Sequence, residues 1–66
     1  MKVDALVYSD DGSFWGYQLH DKTLLPEREV AMHIDEISNL QMINGIVYET
    51  EDIKKTDYKT ALGKFL

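Results

Sequence analysis

The 66-residue chain is long enough for one small domain and contains no cysteine, which excludes a disulfide framework. Twelve acidic against seven basic residues leave a formal charge of −5 at pH 7, which disfavours direct binding to nucleic acid. No long apolar run follows Met1, so we expect neither a signal peptide nor a membrane span, and a soluble, cytoplasmic protein.

Two alternating runs, Lys2 to Ser9 and Ser13 to His20, predict a first pair of β-strands that meet at Asp11-Gly12. An Asp-Gly pair fits a two-residue type I′ turn, and a slip of one residue there would change every pairing. The pairs expected on one face of this hairpin are Tyr8 with Trp15, Leu6 with Tyr17 and Asp4 with Leu19.

A helix is predicted from Pro26 to Ile37, because proline suits the first helical position and acids favour the positive end of the helix dipole. Glu27 and Glu29 supply that negative charge. The apolar residues at helical spacing are Val30, Ala31, Ile34 and Ile37. A strand that contains Val30, Met32 and Ile34 is the alternative.

A second hairpin is predicted from Leu40–Ile43 and Ile46–Glu49, joined by an Asn44-Gly45 turn. Ile43 should then pair with Ile46, and both faces of the hairpin carry apolar side chains, which is typical of strands well inside a sheet. A final helix capped by Thr56 would have an apolar stripe of Tyr58, Ala61, Leu62, Phe65 and Leu66.

The predicted order is strand, strand, helix, strand, strand, helix, over a single domain 1–66. This order indicates an α+β fold with two antiparallel hairpins in a four-stranded sheet, one helix on a face and a short C-terminal helix. The other sheet face would be covered by the C-terminal helix or by another chain.

The residues predicted to bind a partner protein combine exposed aromatic, acidic and apolar side chains. Tryptophan and tyrosine dominate interface energetics, and neighbouring aspartates argue against stacking of nucleic-acid bases. These residues are Tyr8, Asp10, Asp11, Trp15, Tyr17, Met32 and Glu36.

The segment Asp10-Asp11-Gly12, followed by Phe14, Trp15 and Tyr17, resembles the acidic hairpin of small bacteriophage inhibitors of DNA-processing enzymes. The resemblance covers fewer than ten residues. The resemblance implies a protein that imitates the charge of a nucleic-acid backbone. The alternative is that the acidic residues only keep the protein soluble.

Residues that could support chemistry are sparse. His33, with Glu29 and Glu36 one turn to either side, has the spacing of a metal site, although an ordinary surface ion pair explains it better. No nucleophile-elbow or phosphate-binding motif occurs in the sequence. We therefore expect no cofactor, no metal and no enzymatic activity.

Two functions follow as hypotheses. The first is a non-catalytic protein that binds another protein through its aromatic and acidic hairpin face, as an inhibitor or adaptor. The alternative is a homo-oligomeric module that binds a small ligand, such as a nucleotide, between subunits. Direct contact with nucleic acid or membrane is not expected in either case.

Overall fold

The computed structural model describes residues 1–63, which form an α+β domain with two sheets and two helical elements. The strands are β1 (Val3–Tyr8), β2 (Phe14–Leu19), β3 (Leu24–Pro26), β4 (Leu40–Ile43), β5 (Ile46–Glu49) and β6 (Lys54–Asp57). The helical segment 27–36 comprises a 3-10 turn at Glu27–Glu29, helix α1 (Val30–His33) and a 3-10 turn at Ile34–Glu36. Helix α2 covers Tyr58–Gly63. The predicted fold class and the position of the main helical element are confirmed.

The four-stranded sheet has the order β3-β2-β1-β6, whereas β4 and β5 form a separate two-stranded sheet. The second hairpin therefore does not supply half of the main sheet, contrary to the sequence-based expectation. Strand β6 pairs parallel with β1, and β3 pairs antiparallel with β2. The sequence pattern missed both strands, because β3 is short and ends in proline and β6 carries two lysines, as is typical of sheet edges.

The first hairpin turns through three residues instead of two. The Gly12 N–H donates to the Ser9 carbonyl, the Ser9 N–H donates to the Ser13 carbonyl, and Gly12 takes a positive φ of 87°. Leu6 faces Tyr17 as predicted, but Tyr8 faces Phe14 and Val3 faces Leu19. The predicted pairs of Tyr8 with Trp15 and Asp4 with Leu19 are wrong. The longer loop and two irregularities in the β1–β2 ladder account for the change.

The second hairpin has the predicted turn and register. Asn44 and Gly45 both have positive φ values, 52° and 79°, as a type I′ turn requires. Ile43 pairs with Ile46 and Met42 with Val47.

One core lies between the four-stranded sheet, the helical segment and the second hairpin. Its buried members are Val3, Leu6, Tyr17, Leu19, Leu25, Val30, Ile37 and Leu40. The other sheet face is met by α2, whose Ala61 is fully buried, as are Ala5 and Val7 of β1.

Helix α2 is capped by Asp57, whose Oδ1 accepts a hydrogen bond from the Thr60 N–H at 2.6 Å. The prediction that Thr56 is the cap is wrong, because the side chain that accepts from the first turn of α2 is that of the next residue, Asp57. Phe65 and Leu66 of the predicted stripe lie outside the described residues. Within residues 1–63, neither helix has the length and apolar character to cross a membrane.

The buried side chain of Asn39 ties the second hairpin to β1. Its Nδ2 donates to the Val3 carbonyl at 2.8 Å, and its Oδ1 accepts from the Val3 N–H at 2.9 Å. The pairing of β6 with β1 begins only at Ala5, so the Asn39 amide satisfies the β1 edge where β6 does not reach. The Asn39 carbonyl also accepts from the Thr50 N–H after β5. Asn39 thus fixes the hairpin relative to the main sheet.

Candidate functional site

The aromatic residues of the first hairpin do not form one exposed surface. Tyr17 is only 4% exposed and belongs to the core. Phe14 stands edge-to-face with both tyrosines, its ring centroid 5.5 Å from that of Tyr8 and 5.2 Å from that of Tyr17. Tyr17 therefore stabilises the interior, and the prediction of an exposed Tyr17 is wrong.

Trp15 is the extra residue where the β1–β2 register shifts, and it packs on α2. Its ring centroid lies 4.9 Å from that of Tyr58, and its side chain is half-buried. Tyr8 is half-buried too, with the Lys55 ammonium 5.9 Å from its ring centroid. The bulge separates Trp15 from Tyr8 and Tyr17, so the predicted grouping of these three residues on one face is wrong.

Asp10 and Asp11 are exposed in the loop of the first hairpin. The Asp11 carboxylate accepts hydrogen bonds from the Ser13 hydroxyl at 2.6 Å and the Ser13 N–H at 3.0 Å. These bonds hold the pKa of Asp11 below its usual value. The loop thus presents a fixed negative charge at the tip of the hairpin.

Met32 and Glu36 lie in the helical segment, away from that loop. Met32 is 76% exposed, and Glu36 accepts from His33 across 3.4 Å. His33 borders a depression shared with Leu19, at the end of β2 opposite the acidic loop. The seven predicted binding residues are therefore divided between separate parts of the surface.

A cluster of exposed apolar side chains lies on the second hairpin. Ile43, Ile46 and Tyr48 are 48%, 56% and 44% exposed, and we call these three residues the apolar hairpin face. Ile43 and Ile46 are directly paired across the two strands, so their side chains leave the hairpin together. No charged residue occurs from Leu40 to Tyr48. Sequence reasoning placed these residues inside a sheet, although the uncharged run with apolar residues on both faces was a usable signal.

A groove of about 410 Å³ separates this hairpin from the helical segment. Val30, Met42 and Val47 supply apolar walls, Ile46 and Gly45 lie at the hairpin end, and Glu27 and Tyr17 add polar groups. This volume is within the range of about 300–1,000 Å³ that ligand sites occupy. The groove can therefore accept a side chain of a partner.

The phenol of Tyr17 in this groove is neutral across the physiological range. Burial raises the pKa of Tyr17 to about 12, and the negative charges of Glu49 and Glu27 contribute to the rise. Within residues 1–63, the Tyr17 hydroxyl has no hydrogen-bond partner. Gln18 Nε2 is the fully buried side-chain atom without a partner among residues 1–63, whereas the Tyr17 hydroxyl reaches the groove and remains available to a ligand.

Both histidines lie beside carboxylates. His20 Nδ1 lies 3.1 Å from the Asp4 carboxylate, and this hydrogen bond holds the pKa of Asp4 below its usual value. In the part of the chain that the structure describes, no three His, Cys, Asp or Glu side chains are placed to share a metal ion.

Comparisons with protein-family models, with curated proteins and with solved structures find no match for this chain.

Proposed function

We propose that the protein is a small non-catalytic binding protein that recognises a basic surface of another protein, as an inhibitor or an adaptor. The apolar hairpin face is the observation on which this proposal rests. Clustered exposed apolar side chains with a polar surround are typical of protein-binding surfaces. Ile43, Ile46 and Tyr48 form such a cluster on the separate two-stranded sheet.

The charge around this face favours a basic partner. Residues 1–52 hold eleven acids and three bases, and the second hairpin ends in Glu49 and is followed by Glu51 and Asp52. An apolar centre with an acidic rim is complementary to an apolar patch surrounded by lysine and arginine. Long-range attraction would speed encounter, and the apolar contacts would slow dissociation.

The acidic loop and Trp15 remain a second predicted contact region of the same protein. Asp10 and Asp11 are exposed, and Trp15 keeps part of its ring accessible beside Tyr58. Under this proposal Asp11→Lys and Trp15→Ala weaken partner binding less than changes in the apolar hairpin face.

Affinity capture from a lysate of the native host, followed by mass spectrometry, tests the proposal. Three baits are used: the wild type, the double variant Ile43→Ser with Ile46→Ser, and Leu62→Ser as the matched control. Leu62 is also an exposed apolar residue, at 47%, but lies on α2. We expect basic proteins that wild type and Leu62→Ser retain and that the hairpin variant loses. Identical captured sets for all three baits would contradict the proposal.

The same face supports the second candidate, a homo-oligomer with a small ligand such as a nucleotide between subunits. The uncharged run from Leu40 to Tyr48 would let two acidic copies meet without opposing charges at the contact. Light scattering separates the candidates, since a strict monomer at micromolar concentration contradicts the oligomer.

A further inference from the structure

Resting on the proposed function, we propose that the groove beside the apolar hairpin face receives one arginine side chain of the basic partner. The groove has apolar walls near the apolar hairpin face, and its oxygen atoms can accept hydrogen bonds from a guanidinium. The arginine would act as an anchor residue that fixes the position of the partner on the hairpin.

The apolar walls fit the aliphatic part of an arginine side chain. Val30 comes from α1, and Met42 and Val47 come from a directly paired position of the hairpin. Arginine buries its methylene groups along such surfaces while its charged end finds polar partners. The two elements that form the walls are both held to the core, through Val30 and Leu40.

Three oxygen-bearing side chains can meet the guanidinium. Tyr17 is nine-tenths buried or more, lines the groove and offers a hydroxyl without a partner among residues 1–63. Glu27 also lines the groove, whereas Glu49, on the same face of β5 as Val47, lines an adjoining depression beside Leu6. Neither glutamate belongs to an ion pair within the described residues.

The donor geometry of arginine suits this set better than that of lysine. A guanidinium carries five N–H donors in one plane and can bond two carboxylates and a hydroxyl at once. The negative charges of Glu49 and Glu27 both raise the pKa of Tyr17, whose hydroxyl the guanidinium would meet. A lysine ammonium presents its three donors at a single point and would leave part of this set unused.

Nuclear magnetic resonance titration with Nα-acetyl-arginine amide tests the inference directly. We expect saturable shifts of the backbone amides of Tyr17, Glu27, Val30 and Val47, and weaker binding of the lysine and norleucine analogues. Equal binding of the lysine analogue, or shifts spread evenly over all acidic residues, would overturn it.

Two variants and a charge-matched control define the site. Glu27→Gln with Glu49→Gln should weaken binding of the arginine amide about tenfold, since the first removes the charge of the groove carboxylate and the second removes a neighbouring negative charge. Tyr17→Phe should weaken it by a smaller factor. Asp35→Asn with Asp52→Asn changes the net charge equally outside the groove and should leave binding within about twofold of wild type. An equal loss in this control would mean that net charge alone attracts the probe.

Failure of this inference is distinguishable from failure of the proposed function. If Ile43→Ser with Ile46→Ser abolishes partner capture but the groove variants retain both the partner and the arginine amide, only the arginine anchor is wrong. If the hairpin variant also retains the partner, the proposed function itself is wrong.

Discussion

Replacing Asn39 by alanine tests the contact that holds the second hairpin in place. The substitution removes both hydrogen bonds to Val3. The N–H and carbonyl groups of Val3, a residue that is 1% exposed, are then left without partners. Each unsatisfied buried group costs about 1–3 kcal/mol, and we expect Asn39→Ala to lower the free energy of unfolding by about 2–4 kcal/mol. A chain of 66 residues has only roughly 3–10 kcal/mol of stability in total.

Urea unfolding at pH 7, followed by far-ultraviolet circular dichroism, measures this loss. Gln41→Ala is the matched control, because Gln41 is an exposed amide side chain on the same strand as Leu40. The control should stay within about 0.5 kcal/mol of wild type. A loss below about 1 kcal/mol in Asn39→Ala would refute the reasoning, since the two hydrogen bonds would then contribute little.

Asn39→Asp adds a pH dependence of known sign. At pH 7 a carboxylate at position 39 still accepts from the Val3 N–H but repels the Val3 carbonyl, and its burial raises its folded-state pKa above the usual value of about 3.9. Protonation of this carboxylate restores a donor to the Val3 carbonyl. The loss in free energy of unfolding relative to wild type should therefore shrink as the pH falls towards about 4. A deficit that is constant between these pH values would contradict the two-bond geometry.

Three further predictions concern other parts of the fold. Gly16→Ala should cost about 3 kcal/mol, because a methyl group would collide with the Leu25 carbonyl of β3, whereas Gly63→Ala meets no atom within 4 Å and should not destabilise. Because the pKa of Tyr17 is raised to about 12, wild type should lose about 2 kcal/mol between pH 10 and pH 12 relative to Tyr17→Phe, measured by urea unfolding; no difference would contradict the shift. Asp57→Ala should loosen α2 and shift the Trp15 emission to longer wavelength, whereas Asp57→Asn, which keeps the cap, should not.

The local elements could be predicted from sequence because their signals are local. Asn44-Gly45 sets the second turn, and Pro26 with the following acids sets the start of the helical segment. Hydrophobic alternation likewise located β1 and β2.

The pairing of distant segments could not be predicted in the same way. The parallel contact of β6 with β1 joins segments about fifty residues apart, and Lys54 and Lys55 conceal the strand in a polar run. Nor does any sequence period reveal that the Asn39 amide closes the β1 edge. The sequence pattern alone therefore assigned the second hairpin to the main sheet.

The candidate site depends on those long-range contacts. The length of the first hairpin loop and the register of the strands that follow decide whether Trp15 lies on the same sheet face as Tyr17. The three-residue loop contains the hydrogen bonds from Ser13 to Asp11. The apolar hairpin face is exposed only because β4 and β5 stay outside the main sheet. Composition identified the aromatic residues as a group, whereas tertiary structure decides which of them are accessible.

Amide hydrogen exchange of the protein, free and with its captured partner, tests the central claim most directly. We expect slower exchange on binding across β4 and β5, centred on Ile43, Ile46 and Tyr48, with a smaller change in the helical segment beside the groove. Protection that is confined to the acidic loop around Asp11, with none on the second hairpin, would contradict the claim.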